Sequence, residues 1–267
     1  MGEKTQGYLM IIGGAEDKDN ECTILKKFVE IAGKKHARLT VITAASQDPA
    51  QVGQDYIKIF NRLGVEDVVA LDISSRKEAQ RRDICERIMN STGIFFTGGD
   101  QLRITSLLGG SQVYHALHSV YKEGVLIAGT SAGASVMSDT MIVGGSGDEA
   151  PKGNAINMAP GMGLLEEVVI DQHFAQRGRI GRLLLAVAQN PYVIGVGIDE
   201  DTAILVTPEA SFTVIGSQTV TVVDGSGVDY TNVSELVAGE ALSMFNARIH
   251  VLSSGNKFSL KSREPIL

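Results

Sequence analysis

Short apolar runs alternate with longer amphipathic stretches over the first half of the chain. The apolar runs show no polar alternation, which is typical of parallel strands buried on both faces. They predict strands at 8–12, 37–43, 68–71, 93–97 and 125–128. The stretches between them predict helices, including 21–32, 50–63 and 77–89. This β-then-α rhythm predicts an α/β fold in which helices cover both faces of a mostly parallel sheet.

The last third of the chain has a different pattern. Residues 168–170 and 192–198 predict two more core strands, with a helix at 177–189 between them. Shorter β-like segments follow at 203–206, 212–215 and 219–223, and 224–227 is a turn. We expect these segments to form antiparallel edge strands on the same sheet. The chain has no internal repeat or linker, so residues 1–267 are predicted to form a single α/β hydrolytic domain.

Composition excludes several classes of function. The net charge of −7 disfavours nucleic acid and anionic membranes as partners. No apolar run reaches the roughly 20 residues of a membrane span, and the first residues lack a secretory signal, so we expect a cytoplasmic protein. The two cysteines, Cys22 and Cys85, lie in predicted helices without metal-binding spacing. No metal site is predicted.

A candidate nucleophile lies in Gly129-Thr130-Ser131-Ala132-Gly133, which fits the pattern G-x-S-x-G. An apolar strand precedes this segment, and small residues that can begin a helix follow it, as a nucleophile elbow requires. Ser131 is therefore the predicted nucleophile. The backbone N–H of Ala132, at the helix start, is a predicted oxyanion donor. The alternative is a plain turn in which Ser131 only caps the helix.

A second Gly-rich turn follows the strand at 93–97. Parallel strands place their sites at their carboxyl ends, so Gly99 in this turn is the predicted second oxyanion donor. The alternative is an ordinary turn followed by Asp100 as a helix cap. Neither Gly-Gly pair of the chain completes a dinucleotide-binding G-x-G-x-x-G pattern.

The serine needs a general base, and His173 is the histidine that follows a core strand. The other four histidines lie in a lysine-rich loop, on an amphipathic helix or in a late β-like segment. Two acids compete to orient His173. Glu200 follows another core strand, whereas Glu149 lies on a Gly-rich loop and gives the order Ser, acid, His. We favour Glu200 because strand ends hold side chains more rigidly than loops do.

Charged residues surround the candidate base in the sequence. Arg177, Arg179 and Arg182 follow His173 and suggest a clamp for substrate carboxylates, although a solvated basic face competes with this interpretation. Acids at or near strand ends suggest a place for a cationic group of a zwitterionic substrate. These acids are Glu16, Asp17, Asp171 and Asp199.

Five motifs together resemble one family, the cyanophycinases, within the wider aspartyl dipeptidase-like serine peptidases. The nucleophile elbow at 128–134 is shared with the wider family. The segment at 171–174, with the arginines that follow it, is more particular to cyanophycinases. The motifs are 11–18 (IIGGAEDK), 96–103 (FTGGDQLR), 128–134 (AGTSAGA), 171–174 (DQHF) and 197–202 (GIDEDT).

The resemblance implies a three-layer αβα sandwich like that of class I glutamine amidotransferases. It also implies hydrolysis of cyanophycin, a polyaspartate with arginine on each β-carboxylate, to β-aspartyl-arginine dipeptides. It implies homodimers and no cofactor. Six residues match positions that hold the substrate in the family: Gln101, Asp171, Gln172, Arg177, Arg179 and Arg182.

Three hypotheses follow from the sequence. The leading one is an exo-acting serine peptidase that acts on cyanophycin. The second is a dipeptidase for α-aspartyl dipeptides, which a preference for β-linked or α-linked substrate distinguishes from the first. The third is a binding protein without catalysis, which the retention of Ser131 and His173 disfavours.

Overall fold

The structure is a computed structural model that describes residues 7–145, 151–152 and 156–267. Besides the α-helices, short 3-10 helices occur at Lys34–His36, Glu78–Gln80 and Ala175–Arg177. The α-helices within the described residues are α1 (Thr23–Ala32), α2 (Pro49–Arg62), α3 (Arg82–Met89), α4 (Gln101–Leu108), α5 (Gln112–Lys122), α6 (Ala132–Ser135) and α7 (Ile180–Gln189).

The strands follow the predicted order and continue to the end of the chain. Within the described residues they are β1 (Leu9–Ile12), β2 (Arg38–Ile42), β3 (Asp67–Leu71), β4 (Gly93–Phe96), β5 (Leu126–Thr130), β6 (Thr140–Gly145), β7 (Ile156–Pro160), β8 (Val168–Gln172), β9 (Ile194–Ile198), β10 (Thr202–Thr207), β11 (Ser211–Gly216), β12 (Val220–Asp224), β13 (Tyr230–Thr231), β14 (Met244–Phe245), β15 (Arg248–Leu252), β16 (Lys257–Ser259) and β17 (Glu264–Ile266).

The central sheet has the strand order β17-β16-β11-β10-β1-β5-β4-β2-β3. Its strands β1, β5, β4, β2 and β3 pair in parallel. The strands from β10 outward pair antiparallel. The predicted α/β fold, with a parallel central region and antiparallel strands toward the C-terminus, is therefore confirmed. Because β5 is flanked by β1 and β4, its carboxyl end lies in the middle of the sheet, where Ser131 follows it.

Helices cover both faces of the central sheet, which gives three layers. Alternate residues of β1 point to opposite faces, as strand geometry requires. Met10 and Ile12 pack in the cluster that contains α1 and α2, whereas Leu9 and Ile11 pack in the cluster that contains α3, α4 and α5. These four side chains are fully buried. Both faces are apolar because both are covered, which is why the strands lack polar alternation.

The prediction of a single sheet was wrong. Strands β8 and β9 pair in parallel with each other and belong to a separate four-stranded sheet, with the order β15-β12-β9-β8. The place beside β1 is taken instead by β10, which pairs with it antiparallel. A buried strand has the same apolar pattern in either sheet, so the sequence did not show which neighbours it would have. Helix α7 packs on β9 and β12 of the second sheet.

The second sheet contributes to the position of the candidate site. Its strands β8 and β9 are parallel, so their carboxyl ends lie side by side. Residues of β8, β9 and β12 share one apolar cluster with the central sheet and with α5. Among the helices of the described residues, none is long and apolar enough to cross a bilayer.

Candidate active site

Ser131 lies on the sharp turn between β5 and α6, so the predicted strand, turn and helix are present. Its φ of 54° lies in the left-handed region, which a residue with a Cβ adopts only when its surroundings enforce it. The Ser131 N–H donates to the carbonyl of Ile12 at 3.0 Å. The N–H groups of Ala134 and Ser135 both donate to the Ser131 carbonyl at 3.0 Å. These bonds fix the turn from both sides.

Two glycines make this turn possible. A Cβ at Gly129 would lie 2.2 Å from the carbonyl oxygen of Gly133. A Cβ at Gly133 would lie 2.5 Å from the carbonyl oxygen of Phe96 in β4. Because backbone approaches backbone this closely, α6 starts directly against the sheet, and the motif requires glycine at both positions.

His173 contacts Ser131 from the end of β8. Its Nε2 lies 3.0 Å from Ser131 Oγ, within hydrogen-bonding distance. The His173 backbone also has a positive φ, of 46°, and its N–H donates to the carbonyl of Gly13 at 2.8 Å. A Cβ at Gly14 would lie 2.3 Å from Cε1 of the imidazole. The turn after β1 therefore packs directly against the imidazole, and only glycine at position 14 leaves room for the ring.

Glu200 completes a chain of three side chains. Its Oε1 lies 2.6 Å from His173 Nδ1, on the side of the ring opposite to Ser131. The Glu200 N–H donates to the side-chain oxygen of Gln176 at 3.1 Å, which holds the loop after β9. Of the two acids that competed in the sequence, Glu149 lies outside the described residues, and Glu200 is the one that contacts His173.

The surroundings of His173 favour its neutral form. Burial lowers the pKa of His173 below its ordinary value of 6.5, and the positive charges of Arg177 and Arg179 lower it further. The hydrogen bond and charge of Glu200 oppose these effects only in part. The imidazole is therefore neutral at pH 7. With Nδ1 protonated toward Glu200, its Nε2 can accept the hydroxyl proton of Ser131.

Of the two predicted oxyanion donors, Ala132 directly follows Ser131, and Gly99 follows Gly98, which lies next to Ser131 in space. Ala132 is the first residue of α6, and a Cβ at Gly98 would lie only 3.4 Å from Ser131 Cβ. Gly99 has a φ of 141°, and a Cβ there would lie 2.0 Å from the carbonyl oxygen of Ala45. Neither the Gly99 nor the Ala132 N–H donates to another of the described residues. Gly99 is exposed, whereas Ala132 is buried.

Asp171, Arg179 and Arg182 form a buried ion cluster beside the candidate base. Arg182 Nε lies 2.6 Å from Asp171 Oδ2, and Arg179 Nη1 lies 3.3 Å from Asp171 Oδ1. Asp171 is fully buried, and both arginines are buried. Burial, with the charges of Arg182 and Arg177, lowers the pKa of Arg179 to about 10, so it remains protonated at neutral pH. The cluster therefore holds one positive charge in excess.

The remaining predicted substrate residues have different surroundings. Gln172 Oε1 lies 3.5 Å from Ser131 Oγ, at the outer limit of a hydrogen bond. Gln101 Nε2 donates to the carbonyl of Ile142 at 3.1 Å and so ties α4 to β6. Arg177 is exposed in the 3-10 helix after β8. The structure thus brings Gln172 to Ser131 and leaves Arg177 open to solvent.

Three acids that suggested a cation site are engaged within the protein. Glu16 is buried and accepts hydrogen bonds from Thr130 Oγ1, at 2.6 Å, and from the Tyr56 hydroxyl. Asp17 accepts backbone N–H bonds in its own turn, which hold its pKa far below the ordinary range. Asp199 accepts from the Ala175 N–H at 2.9 Å. These acids therefore accept hydrogen bonds from neighbouring segments of the protein and do not face an open cavity.

Sequence reasoning did not predict that Gly14 packs against the His173 imidazole. It also did not predict that Glu16 accepts a hydrogen bond from Thr130. Both belong to the segment after β1, in the motif IIGGAEDK. The Gly-Gly pair at a strand end was the available signal. Among the residues that the structure describes, no group of three or more His, Cys, Asp or Glu is arranged to hold a metal ion.

Comparisons with known proteins agree with this geometry. A model of Peptidase family S51 matches residues 9–214. A protein named Cyanophycinase from Geminocystis herdmanii (strain PCC 6308) is 39% identical over 267 residues, which cover 100% of this chain and 98% of that protein. Another from Trichormus variabilis (strain ATCC 29413 / PCC 7937) is 41% identical over 262 residues, covering 98% and 88%.

A solved structure shows the same fold. The crystal structure of a peptidase from an acI-B1 Actinobacterium superposes with a TM-score of 0.69 and covers 96% of this chain and 99% of that one. Its sequence identity is 21%, so the likeness is one of fold.

Proposed function

Since this chain belongs to peptidase family S51, we propose that it is a serine peptidase that hydrolyses cyanophycin and releases β-aspartyl-arginine dipeptides from the polymer end. Membership of the family makes the chain a peptidase. One observation carries the serine mechanism. Ser131 Oγ lies 3.0 Å from His173 Nε2, and His173 Nδ1 lies 2.6 Å from Glu200 Oε1. The substrate is supported by relatives that are named cyanophycinase and are 39–41% identical.

The first step forms an acyl-enzyme. Ser131 Oγ attacks the carbonyl carbon of the scissile amide while His173 Nε2 takes the hydroxyl proton. Glu200 stabilises the imidazolium through Nδ1 and keeps the ring in the required orientation. The carbonyl oxygen becomes negative and accepts hydrogen bonds from the N–H groups of Gly99 and Ala132. When the C–N bond breaks, His173 returns the proton to the departing amine.

The second step releases the acyl group. A water molecule attacks the ester carbon, and His173 Nε2 takes a proton from that water. The C–O bond to Ser131 then breaks, and the proton passes back to its oxygen. One water molecule is consumed for each amide bond, and the serine is regenerated. None of these steps calls on a cofactor or metal ion.

The charge around His173 supports a substrate that carries carboxylates. The cluster of Asp171, Arg179 and Arg182 has one excess positive charge, and exposed Arg177 adds another. In this proposal Arg177 meets a substrate carboxylate directly, while Gln101 and Gln172 offer hydrogen-bonding groups to the substrate. Asp171 keeps the two buried arginines oriented, because an unpaired buried guanidinium is unstable.

The resemblance to the family also supports a cytoplasmic homodimer. Sedimentation or light scattering of the purified protein measures its mass directly. A dimer of the 28.4 kDa chain is expected, and a monomer would remove this part of the proposal.

The test of the activity is product release from purified cyanophycin, read by mass spectrometry. Ser131→Ala is expected to abolish release of β-aspartyl-arginine, since removing such a nucleophile costs on the order of 10⁶ in kcat. Ser135→Ala, in the short helix that Ser131 begins, is the control and keeps its activity. Release from the Ser131 variant at the normal rate contradicts the mechanism. Cleavage of α-linked aspartyl dipeptides instead of the polymer contradicts the substrate.

A further inference from the structure

An open groove runs between the outer face of α4 and strand β7. Its volume is about 700 Å³, within the roughly 300–1,000 Å³ of ligand-binding clefts. Ala159 and Pro160 form one wall, and the other is formed by Asp100, Leu102, Arg103, Thr105 and Ser106. None of these residues belongs to the triad or to the residues proposed above to hold the cleaved unit.

The groove begins at Asp100, two residues along the chain from Gly98, which lies next to the catalytic serine. A Cβ at Gly98, two residues before Asp100, would lie 3.4 Å from Ser131 Cβ, and the Asp100 N–H donates to the carbonyl of Ala45 at 2.9 Å. Gln101 ties the start of α4 to β6 through its bond to Ile142. The groove wall is therefore held rigidly against the site. A chain that extends beyond the cleaved amide past Gly99 enters the groove.

The groove carries one negative and one positive group. Asp100 Oδ1 caps α4 through the Leu102 N–H at 2.8 Å, but its Oδ2 has no partner among the described residues. Arg103 donates through Nε to the carbonyl of Ala44 at 2.9 Å. Its two terminal nitrogens donate to none of the described residues. A carboxylate oxygen and a guanidinium edge are thus both available to a ligand.

Between and opposite these charges lie three apolar residues of the lining. Leu102 is 45% exposed on the face of α4 that lines the groove. Ala159 and Pro160 face it from β7. Such walls accommodate methylene groups, and a leucine exposed there gains free energy when a ligand covers it.

We propose that this groove binds a further arginine-bearing repeat of the polymer, beyond the repeats that flank the cleaved bond. This inference rests on the proposed function. Each branch of cyanophycin ends in a guanidinium and a carboxylate joined by methylenes. The guanidinium pairs with Asp100, the carboxylate pairs with Arg103, and the methylenes pack on Leu102. The enzyme then prefers chains long enough to reach the groove.

The test compares two substrates that are cut by the same triad. Values of kcat/KM are measured on two-repeat and ten-repeat chains, and their ratio is taken for each variant. Any damage to Ser131 or His173 lowers both values and cancels in the ratio. The variants are Asp100→Asn, which keeps a capping oxygen but loses the charge, and Leu102→Ala.

The ratio of long-chain to short-chain kcat/KM is expected to exceed one in the wild type. It falls by about fivefold or more in each variant, the change that a loss of about 1 kcal/mol in binding produces. Asp48→Asn is the matched control for the charge, because Asp48 is an exposed aspartate that caps α2. Met89→Ala is the control for the leucine, because Met89 is 43% exposed on α3.

The outcomes separate this inference from the proposed function. A wild type that cuts both chain lengths, with a ratio unchanged in Asp100→Asn and Leu102→Ala, overturns the groove assignment and leaves the activity standing. A wild type that cuts neither length overturns the proposed function itself. An equal fall of the ratio in the control variants also contradicts the assignment, since those residues lie outside the groove.

Discussion

At the scale of single residues, three strained backbone conformations occur at the site. Ser131, His173 and Asp201 all have positive φ values, of 54°, 46° and 48°. Such conformations cost roughly 1–3 kcal/mol each and persist only where the surroundings enforce them. Here the backbone N–H groups of all three donate to consecutive carbonyls at and after the end of β1. Those carbonyls belong to Ile12, Gly13 and Gly14.

Gly14→Ala tests whether this turn positions the base. The new Cβ would lie 2.3 Å from His173 Cε1, so the imidazole must move away from Ser131. We expect kcat to fall by about 100-fold, the effect of a displacement of about 1 Å in a catalytic geometry. Gly64→Ala is the control, because Gly64 also has a positive φ, of 89°, but no atom within 4 Å of a Cβ. Equal kcat losses in both variants would attribute the effect to backbone strain instead.

The sequence predicted which residues follow which strands, and this was enough to bring Ser131, His173 and Glu200 into one candidate site. It did not reveal the partners of the charged side chains. Arg179 and Arg182 had the spacing of a clamp on one helix face, and in the structure both pair with Asp171 in the interior. Pairing depends on side-chain direction and on packing between elements, which a linear pattern does not contain.

At the scale of elements, the segment after β1 holds the end of β5 in place through hydrogen bonds. Glu16 accepts from Thr130 Oγ1 at 2.6 Å, one residue before Ser131, and from the hydroxyl of Tyr56 on α2. Lys18 Nζ lies 3.5 Å from the same carboxylate. Burial, together with the charge of Glu16, raises the pKa of Tyr56, so its hydroxyl stays protonated and remains a donor. The loop thereby connects α2 to the end of β5.

Thr130→Val tests the strength of this connection. The variant keeps the shape of the side chain but leaves a buried carboxylate with one donor fewer. We expect the free energy of unfolding in urea to fall by about 1.5–3 kcal/mol, the range for hydrogen bonds to charged groups. Thr97→Val is the control, because the buried Thr97 hydroxyl donates only to a neutral carbonyl, that of Ile42, at 3.4 Å. An equal loss in the two variants would contradict a special role for Glu16.

At the scale of the whole molecule, the described residues form two large sheets and two two-stranded ones in place of the one sheet that the sequence predicted. The core strands β8 and β9 were located correctly, but their apolar pattern fits any sheet that is covered on both faces. Pairing between distant strands is decided by the fold as a whole, here by β10 occupying the edge of β1. The fold nonetheless brings the carboxyl ends of β5, β8 and β9 together, where Ser131, His173 and Glu200 follow them.

A buried ion pair connects the two sheets. Arg263, in the turn between β16 and β17 of the central sheet, donates to Asp224 Oδ1 at 2.8 Å, at the end of β12 in the second sheet. Asp224 is fully buried. Burial alone would raise its pKa, but the hydrogen bonds from Arg263 and Ser226 outweigh burial, and the pKa is lowered from its ordinary value of 3.8.

Arg263→Gln should therefore destabilise the protein in a pH-dependent way. At pH 7 we expect the free energy of unfolding to fall by about 3 kcal/mol, because the variant leaves a buried carboxylate without its charge partner. The lowered pKa means that this contribution is complete above the unfolded-state pKa of about 3.9 and is lost as the pH falls through the folded-state value. Urea unfolding at several pH values should show the wild type and variant converging below about pH 4.

The control for this prediction is Arg248→Gln. Arg248 pairs with Glu264, and the side chains of both residues are about half exposed, at 51% and 53%. Exposed ion pairs contribute less than about 1 kcal/mol, so this variant should unfold almost like the wild type at every pH. Since both variants remove one arginine from the same end of the chain, a general effect of charge would affect them equally. The Arg248–Glu264 pair also joins the two sheets, from β15 to β17. A loss confined to Arg263→Gln, and absent at low pH, therefore identifies the buried Asp224 pair as the one of these two ion pairs that stabilises the contact between the sheets.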